Sequence, residues 1–544
     1  METSHETDKT EKLLTALVIL ALLCFFVIFA ILNFKGFADL CTADMYEDTL
    51  VARMMAEQRT LFPVDYVFGN QYYVVATPVV SALFYAVTGS QNTSMALATT
   101  LMSAFILLSL VWMLRPFVRN TLTLLCAMLA LVGGVAAPML PMMEQGQLLF
   151  TQASFYACYL ITTFVVFGDY VRAEKEGGLR AAPLLLSLLL CFGTGMQSMR
   201  QTCVTILPVL CFELLQALRR KHSLGAFWPA GHRGRLFRAL GYAAANMAGS
   251  CFVKLLKVPR HTIYSGRSIL DGARVSEKLQ GLQDAYMDIS GLRWVGEKYP
   301  LFFTLIFGFF SCVLIFAVII AFRDLDKDDD CVAKYWWLTI ISLAGVAAAS
   351  FVTKISLRSI YLFMYYPLLA FSLVLVMGRL KGKLRRAFVS LLCLLTLLNA
   401  YYSYHESVEL SLDETPSAEE LACRFIMERG SELVYGANAH PATSVAVYSD
   451  GALIAGNWDD EIIFKVVPYI NIQSIYTMDD YARATFVFQP WEVEGAMNEA
   501  IIGGGEFTVL ATFGDLTLCS CTKQMMYPIS GFPAQQRLYD EVLN

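Results

Sequence analysis

Phe37-Ala-Asp39-Leu-Cys41-Thr-Ala-Asp44-Met-Tyr46-Glu47-Asp48 stands just past the apolar run Leu13–Leu32. The run is long enough to cross a hydrocarbon core of roughly 30 Å. The stretch after it concentrates carboxylates with almost no basic partner beside them. Ionisable groups held at a membrane surface are costly unless they bind or react. This pairing of a span with an acidic outer loop predicts a polytopic membrane protein with chemistry on one face.

Composition supports the class. Hydrophobic residues make up 56% of the chain and charged residues only 16%. Mean hydropathy is +0.53. A soluble globular chain carries more charge than this. The net charge of -5 gives no electrostatic footprint for nucleic acid, and no nucleic-acid module appears. Lys9 and Lys12 precede the first run, and no small-residue cleavage site follows it. It therefore reads as an uncleaved signal anchor.

Apolar runs predict about eleven transmembrane helices, near 13–33, 95–114, 121–140, 148–169, 182–199, 202–218, 239–257, 300–322, 335–353, 359–378 and 387–404. The run Tyr72–Gly89 is a twelfth candidate, and charge decides its fate. If it lies in the outer interface, the basic segments at Arg115/Arg119, Arg172–Arg180, Arg219–Arg238, Arg323–Lys334 and Arg379–Arg386 all fall on the side of the N-terminus. That side is then cytoplasmic. If it crosses, every later loop inverts. The expectation is a multi-pass protein of the cell membrane with an interfacial helix in the first outer loop (34–94). Its N-terminus is cytoplasmic, and its transmembrane domain, 1–404, precedes an extracytoplasmic domain, 405–544. Tyr72 and Tyr73 read as an aromatic belt.

The tail differs in composition. Ser417-Ala-Glu-Glu420 predicts a capping box that opens a helix to about Arg429. β-prone runs follow at Leu433–Tyr435, Ala452–Ala455, Ile462–Phe464, Thr485–Phe488, Phe507–Phe513 and Leu516–Cys521. A helix is expected near Val493–Ile502, and Gly514-Asp515 reads as a tight hairpin turn. This predicts a small α/β domain. The fourteen cysteines stand mostly alone inside spans. Cys519 and Cys521 fall on one side of a strand, which disfavours a bond between them. No Cys/His spacing suggests zinc, so no metal or other cofactor is expected, although a divalent ion remains conceivable.

On the predicted outer face, Asp39, Asp44, Glu47, Asp48 and Glu144 are the carboxylates. Arg200, Lys254, Lys257, Arg260, Lys354 and Arg358 are cations near membrane ends, with Tyr361 one turn past Arg358. Arginine forks match phosphate oxygens. Carboxylates and phosphate-binding cations at a lipid surface suit one reaction. An acceptor hydroxyl attacks a sugar carried on a lipid phosphate. A carboxylate removes the hydroxyl proton, and cations stabilise the departing phosphate.

Asp44, Arg53 with Met55, Pro63, Gly69, Tyr72, Pro78 and Gly89 occur in an order that resembles the first loop of the GT-C membrane glycosyltransferases. The bacterial lipid A aminoarabinose transferases and the protein O-mannosyltransferases resemble it most. Glu144 then corresponds to the family's second acidic loop. Arg358-Ser-Ile-Tyr361, with Tyr366-Pro367 beyond it, resembles its late Arg-Tyr…Pro span. Two positions depart from the pattern: Met45 stands where a Glu is expected, and Thr77-Pro78 replaces Lys-Pro. The resemblance implies a hexosyl- or pentosyltransferase that uses a polyprenyl-phosphate-linked sugar, with a glycan, lipid or protein acceptor. Asp44, Glu47 and Glu144 would be its catalytic carboxylates. Arg200, Lys354, Arg358, Tyr361 and Arg260 would hold the donor phosphate.

Competing readings stand beside these. Asp39 reads better as a helix cap than as a catalyst. Arg200 and Arg358 would also serve as interfacial anchors. A transporter or flippase of a lipid-linked sugar would need paired halves or matched broken spans, which the sequence lacks. A non-catalytic envelope assembly protein would use only the tail.

Overall fold

The computed structural model describes residues 2–63, 66, 68, 71–134, 149–151, 153–176, 181–219, 230–256, 258, 272–293, 299–323, 331–352, 357–436, 439–457, 484–494 and 507–521. Contacts divide the chain into two units. One holds Met1–Ile31, Thr100–Phe252 and Tyr264–Leu410. The other holds Leu32–Thr99, Val253–Ile263 and Ser411–Asn544.

The helices in chain order are α1 (Glu2–Phe34), α2 (Ala43–Gln58), α3 (Thr77–Thr88), α4 (Gln91–Leu114), α5 (Thr121–Gly133), α6 (Ala157–Glu176), α7 (Ala181–Gln197), α8 (Leu207–Arg219) and α9 (Ala230–Leu255). Then come α10 (Gly272–Ile289), α11 (Pro300–Arg323), α12 (Cys331–Val352), α13 (Tyr365–Met377), α14 (Gly382–Ser403), α15 (Ala418–Glu428) and α16 (Ala439–Ala446).

A helix stands at each of the expected span positions, but they are not equivalent. Six segments among the described residues are long and apolar enough to cross a membrane: Lys9–Phe34, Gln91–Leu114, Pro300–Arg323, Cys331–Val352, Ser359–Met377 and Gly382–Val408. The apolar helices α5 and α7 are shorter, as is the segment Thr202–Leu218. Two more positions, α6 and α9, carry buried charges inside their helices, which lowers their apolarity. Helix α3 has only twelve residues. At about 1.5 Å per residue it is too short to span alone.

In the first unit, α13 is buried on every side, from Tyr365 to Met377. A helix that is apolar all round belongs in a core. Its neighbours are α5, α11 and α12. Helices α7 and α9 approach until their backbones touch. A Cβ added at Gly195 would lie 2.1 Å from the Asn246 carbonyl oxygen, and one at Gly249 would lie 2.1 Å from that of Phe192. Small residues allow such closeness in membrane helices. Ser250 and Asn246 use it, donating to the carbonyls of Gly195 at 2.8 Å and Cys191 at 3.1 Å.

The charges inside α6 and α9 are paired. Arg238 meets Asp169, whose other oxygen accepts from the Tyr242 hydroxyl at 2.5 Å. Arg235 meets Glu213 at 2.6 Å, and Tyr170 donates to the same carboxylate. All four charged groups are almost fully buried. This places Arg235 and Arg238 in a buried network rather than in a solvated basic loop.

In the second unit the tail forms a small sheet with helices beside it, and it shares that unit with residues 32–99 and 253–263. Strands β1 (Leu433–Gly436), β2 (Ile454–Asn457), β3 (Ala484–Phe488), β4 (Phe507–Phe513) and β5 (Leu516–Cys521) make one sheet in the order β2-β1-β3-β5-β4. Strands β2, β1 and β3 run parallel, and β5 and β4 are antiparallel to their neighbours. Ser417 caps α15 by accepting from the Glu420 N–H at 3.1 Å. Gly514 takes φ 53°, as the two-residue turn between β4 and β5 requires. The expected strand at 462–464 and most of the helix near 493–502 lie outside the described residues, as does Cys521's side chain. Cys423 and Cys519 are free.

Candidate functional site

Helix α2 begins at Thr42, whose hydroxyl accepts the Met45 N–H at 3.4 Å. The cap is therefore Thr42 and not Asp39. Asp39 instead accepts a hydrogen bond from the Tyr448 hydroxyl. Asp44 sits in the first turn of α2 and is exposed. A negative charge is favourable there, next to the unsatisfied backbone N–H groups.

One turn on, the surroundings change. Asp48 is 1% exposed, and Glu47 is half-buried. Neither carboxylate oxygen of Asp48 makes a well-formed hydrogen bond, and one oxygen of Glu47 is also buried without one. Burial pushes both groups well above the usual carboxylate range, and the charge of Asp44 adds to this. The Tyr73 hydroxyl faces Asp48 and offsets a little of the shift. A buried carboxyl in such a setting holds its proton. Of the three carboxylates at the start of α2, Asp44 is thus the exposed one, and Glu47 and Asp48 are held towards the neutral acid.

The aromatic residues after α2 close over this face. Tyr66, Phe68, Tyr72 and Tyr73 are all buried, and Phe68 contacts the other three with ring centroids 5.0–6.1 Å apart. Tyr72 donates to the Val258 carbonyl at 3.4 Å. The expected aromatic belt at Tyr72 and Tyr73 is corrected: these rings pack inside the unit instead of lining its surface. Burial and the nearby carboxylates drive the Tyr66 and Tyr73 hydroxyls far above their ordinary range.

The cations belong to the other unit. Arg200 follows α7 and precedes a π-turn at Thr202–Ile206. Its guanidinium lies 4.6 Å from the Tyr156 ring centre, 5.3 Å from Tyr361 and 5.5 Å from Tyr159. Three rings at cation–π distance hold it, and it has no ion-pair partner among the described residues. Tyr159 and Ser198 share a hydrogen bond at 2.7 Å, and Ser198 accepts the Arg200 N–H at 3.2 Å. Arg358 is exposed and opens the 3-10 turn Ser359–Leu362, where its carbonyl accepts the Tyr361 N–H at 3.0 Å. Arg200 and Tyr361, about 160 positions apart in sequence, therefore meet at Tyr156, and Arg358 lies within electrostatic range of the Tyr156 hydroxyl.

Glu144, Lys354 and Arg260 lie outside the described residues. Sequence reasoning missed Tyr156, Tyr159, Tyr66 and Tyr73. Only the i, i+3 spacing of Tyr156 and Tyr159 at the head of α6 hinted at a paired role. Among the described residues, no three His, Cys, Asp or Glu side chains converge to hold a metal ion.

No family model matches the chain, and no curated protein matches it in sequence. Solved structures do match its fold. ArnT from Cupriavidus metallidurans in the apo state superposes with a TM-score of 0.54 at 14% identity, covering 94% of this chain and 98% of that one. The same protein bound to undecaprenyl phosphate gives 0.55 at 12% identity, covering 93% and 97%. The likeness is one of fold, and it runs nearly end to end. It bears out the architecture that the first-loop resemblance implies.

Proposed function

We propose that this chain, which has the fold of ArnT, is an integral-membrane glycosyltransferase. It moves a hexosyl or pentosyl group from a polyprenyl-phosphate donor to a hydroxyl of a glycan, lipid or protein on the outer face of the cell membrane. The observation that carries this reading is the near-complete match of fold to a protein solved with undecaprenyl phosphate. In this reading residues 1–404 are the transmembrane domain, the N-terminus is cytoplasmic, and residues 405–544 are extracytoplasmic.

The residue roles follow from chemistry. Asp44, exposed at the start of α2, is the general base for the acceptor hydroxyl, and Glu47 supports it. Arg200 and Arg358, with Tyr361, take the donor phosphate. Negative charge grows on that phosphate as the sugar bond breaks, so fixed cations favour the transition state over the ground state. Arg200 supports this role because its charge is held by rings and, among the described residues, is not neutralised by a carboxylate. Glu144, Lys354 and Arg260 keep the roles assigned to them from sequence.

The test is a transfer assay with the purified full-length protein and a panel of polyprenyl-phosphate sugars. Glycan, lipid and peptide acceptors are supplied in parallel. Release of polyprenyl phosphate together with a glycosylated acceptor is the expected result. Unchanged donor across the whole panel counts against a transferase, and movement of the intact donor across a vesicle bilayer would favour a flippase.

A further inference from the structure

Helix α2 carries the candidate base on one side and is gripped on the other. The Tyr46 hydroxyl donates to the Leu453 carbonyl at 3.3 Å and accepts the Ala455 N–H at 2.9 Å. Both partners lie on or beside β2, the edge strand of the tail's sheet. An edge strand presents unpaired N–H and C=O groups. The inner side of this strand pairs with β1, and the Ile454 N–H bonds to the Glu432 carbonyl at 3.0 Å. The alternate residues, 453 and 455, face outward, and one tyrosine hydroxyl serves both. Tyr46 takes the place of a missing strand partner, and it is 1% exposed.

Two helical turns later Arg53 repeats the contact. Its guanidinium donates to the Gly451 carbonyl at 2.5 Å and pairs with Glu57 at 2.7 Å. Residues 46 and 53 share a face of the helix. At 3.6 residues per turn, Asp44 and Asp48 fall about 160° round from Tyr46.

The gripping segment has its own fixed shape. Asp450 and Gly451 both take positive φ, 50° and 97°. Asp450 accepts the Asn92 N–H at 2.8 Å, and Asn92 donates to the Val447 carbonyl at 2.9 Å. A Cβ on Gly451 would come within 2.8 Å of Gln91 Oε1 and 3.0 Å of the Arg53 guanidinium. One short turn, 447–455, thus engages the helix bearing Asp44 and the start of α4.

We propose that the C-terminal domain positions the candidate catalytic helix, and that Tyr46 and Arg53 are the positioning residues through which its 447–455 turn acts on Asp44. This rests on the transferase reading for its catalytic consequence, but not for the tether itself. Displacement of a catalytic group by about 1 Å costs up to roughly 100-fold in rate, so the tail becomes part of the machinery without touching substrate.

The test uses full-length Tyr46→Phe, Arg53→Gln and Arg53→Lys proteins in lipid nanodiscs. Two quantities are read: transfer kinetics, and hydrogen exchange of the α2 amides. Tyr46→Phe and Arg53→Gln are expected to lower kcat about 10-fold or more. Donor KM should stay near parental in both, as should the thermal midpoint of Arg53→Gln, and exchange over residues 45–55 should accelerate. Arg53→Lys should recover part of the rate. Parental kcat in both Tyr46→Phe and Arg53→Gln overturns the proposal, and so does unchanged α2 exchange even where kcat falls. If Tyr46→Phe fails to fold, the half-exposed Arg53→Gln decides alone. If the parental protein transfers no sugar, the transferase reading fails. The exchange data still uphold or overturn the tether by themselves.

Discussion

The Arg200 guanidinium lies 4.6 Å from the centre of the Tyr156 ring, with Tyr361 and Tyr159 completing a three-sided cage. The rings fix its position without cancelling its charge. Arg200→Gln should therefore reduce transfer by about 100-fold, on the scale seen when a transition-state donor is removed. Arg200→Lys should be intermediate, because it keeps the charge and loses the planar fork. Initial rates with saturating donor provide the measurement. A parental rate in Arg200→Gln reduces this residue to an interfacial anchor.

Asp44→Asn keeps size and polarity and loses basicity. Turnover is expected to drop by about 100- to 10,000-fold, the usual worth of general base catalysis. Donor binding, read by protection against thermal unfolding, should be retained. Near-normal turnover would falsify the assignment.

The buried acids predict a pH dependence of stability. Glu47 and Asp48 have folded-state pKa values above the ordinary carboxylate values of about 4. In the window above pH 4 the folded state therefore binds more protons than the unfolded state. Their contribution is fully present below the unfolded pKa and is lost as pH rises towards the folded one. Asp48→Asn removes one share of this loss. The variant should melt higher than the parent at pH 8, and the gap should close by pH 4. Thermal melts across that range measure it; a variant less stable at pH 8, with the parental slope, contradicts it.

The paired charges of α6 and α9 behave as units. Arg238→Ala leaves Asp169 buried and unpaired, at a cost of about 3–5 kcal/mol. Arg238→Leu combined with Asp169→Leu should cost much less than the sum of the single changes, since no charge is stranded. A double-mutant cycle on thermal unfolding reads the coupling. Strict additivity argues that the two groups do not depend on each other.

Gly195→Ala and Gly249→Ala test the contact between α7 and α9. Each added methyl would meet a backbone carbonyl at 2.1 Å, and a backbone atom cannot rotate aside. Each change should destabilise by about 1–3 kcal/mol. Gly308→Ala, where nothing lies within 4 Å, serves as the comparison and should be nearly silent. Equal melting of all three variants would contradict the close approach.

Local patterns were enough for much of this molecule. Long apolar runs announce membrane helices, because one element must bury or expose about 20 residues as a unit. Ser417 and Glu420 announced a cap, alternating apolar runs announced the strands of the tail, and Gly514-Asp515 announced the hairpin. Each is a property of neighbours along the chain; among the described residues the cap, the hairpin and the strands β1 to β5 stand where expected, and six of the expected spans are long and apolar enough to cross a membrane. The resemblance at residues 44–89 pointed to the architecture that the solved structures share.

Other features had no local signature. Tyr46 and Ala455 are separated by 409 positions, and nothing near either residue announces the other. Asp39 read as a cap because capping is a local rule, but its partner is Tyr448, supplied by the tail. Tyr72 and Tyr73 read as a belt because aromatic residues beside an apolar run usually meet lipid, yet the loop folds back and buries them. Asp48 was one acid among several in sequence. Only burial without hydrogen bonds distinguishes it from Asp44, four residues earlier. Hydropathy, periodicity and capping along the chain were enough for the apolar helices, for α15 and for most strands of the tail, but not for α10 and α16, whose sequences carry no long apolar run. Tertiary structure alone decided which carboxylate is exposed, which tyrosines surround Arg200 and which strand edge holds α2, because burial and long-range contact exist only once the chain has closed on itself.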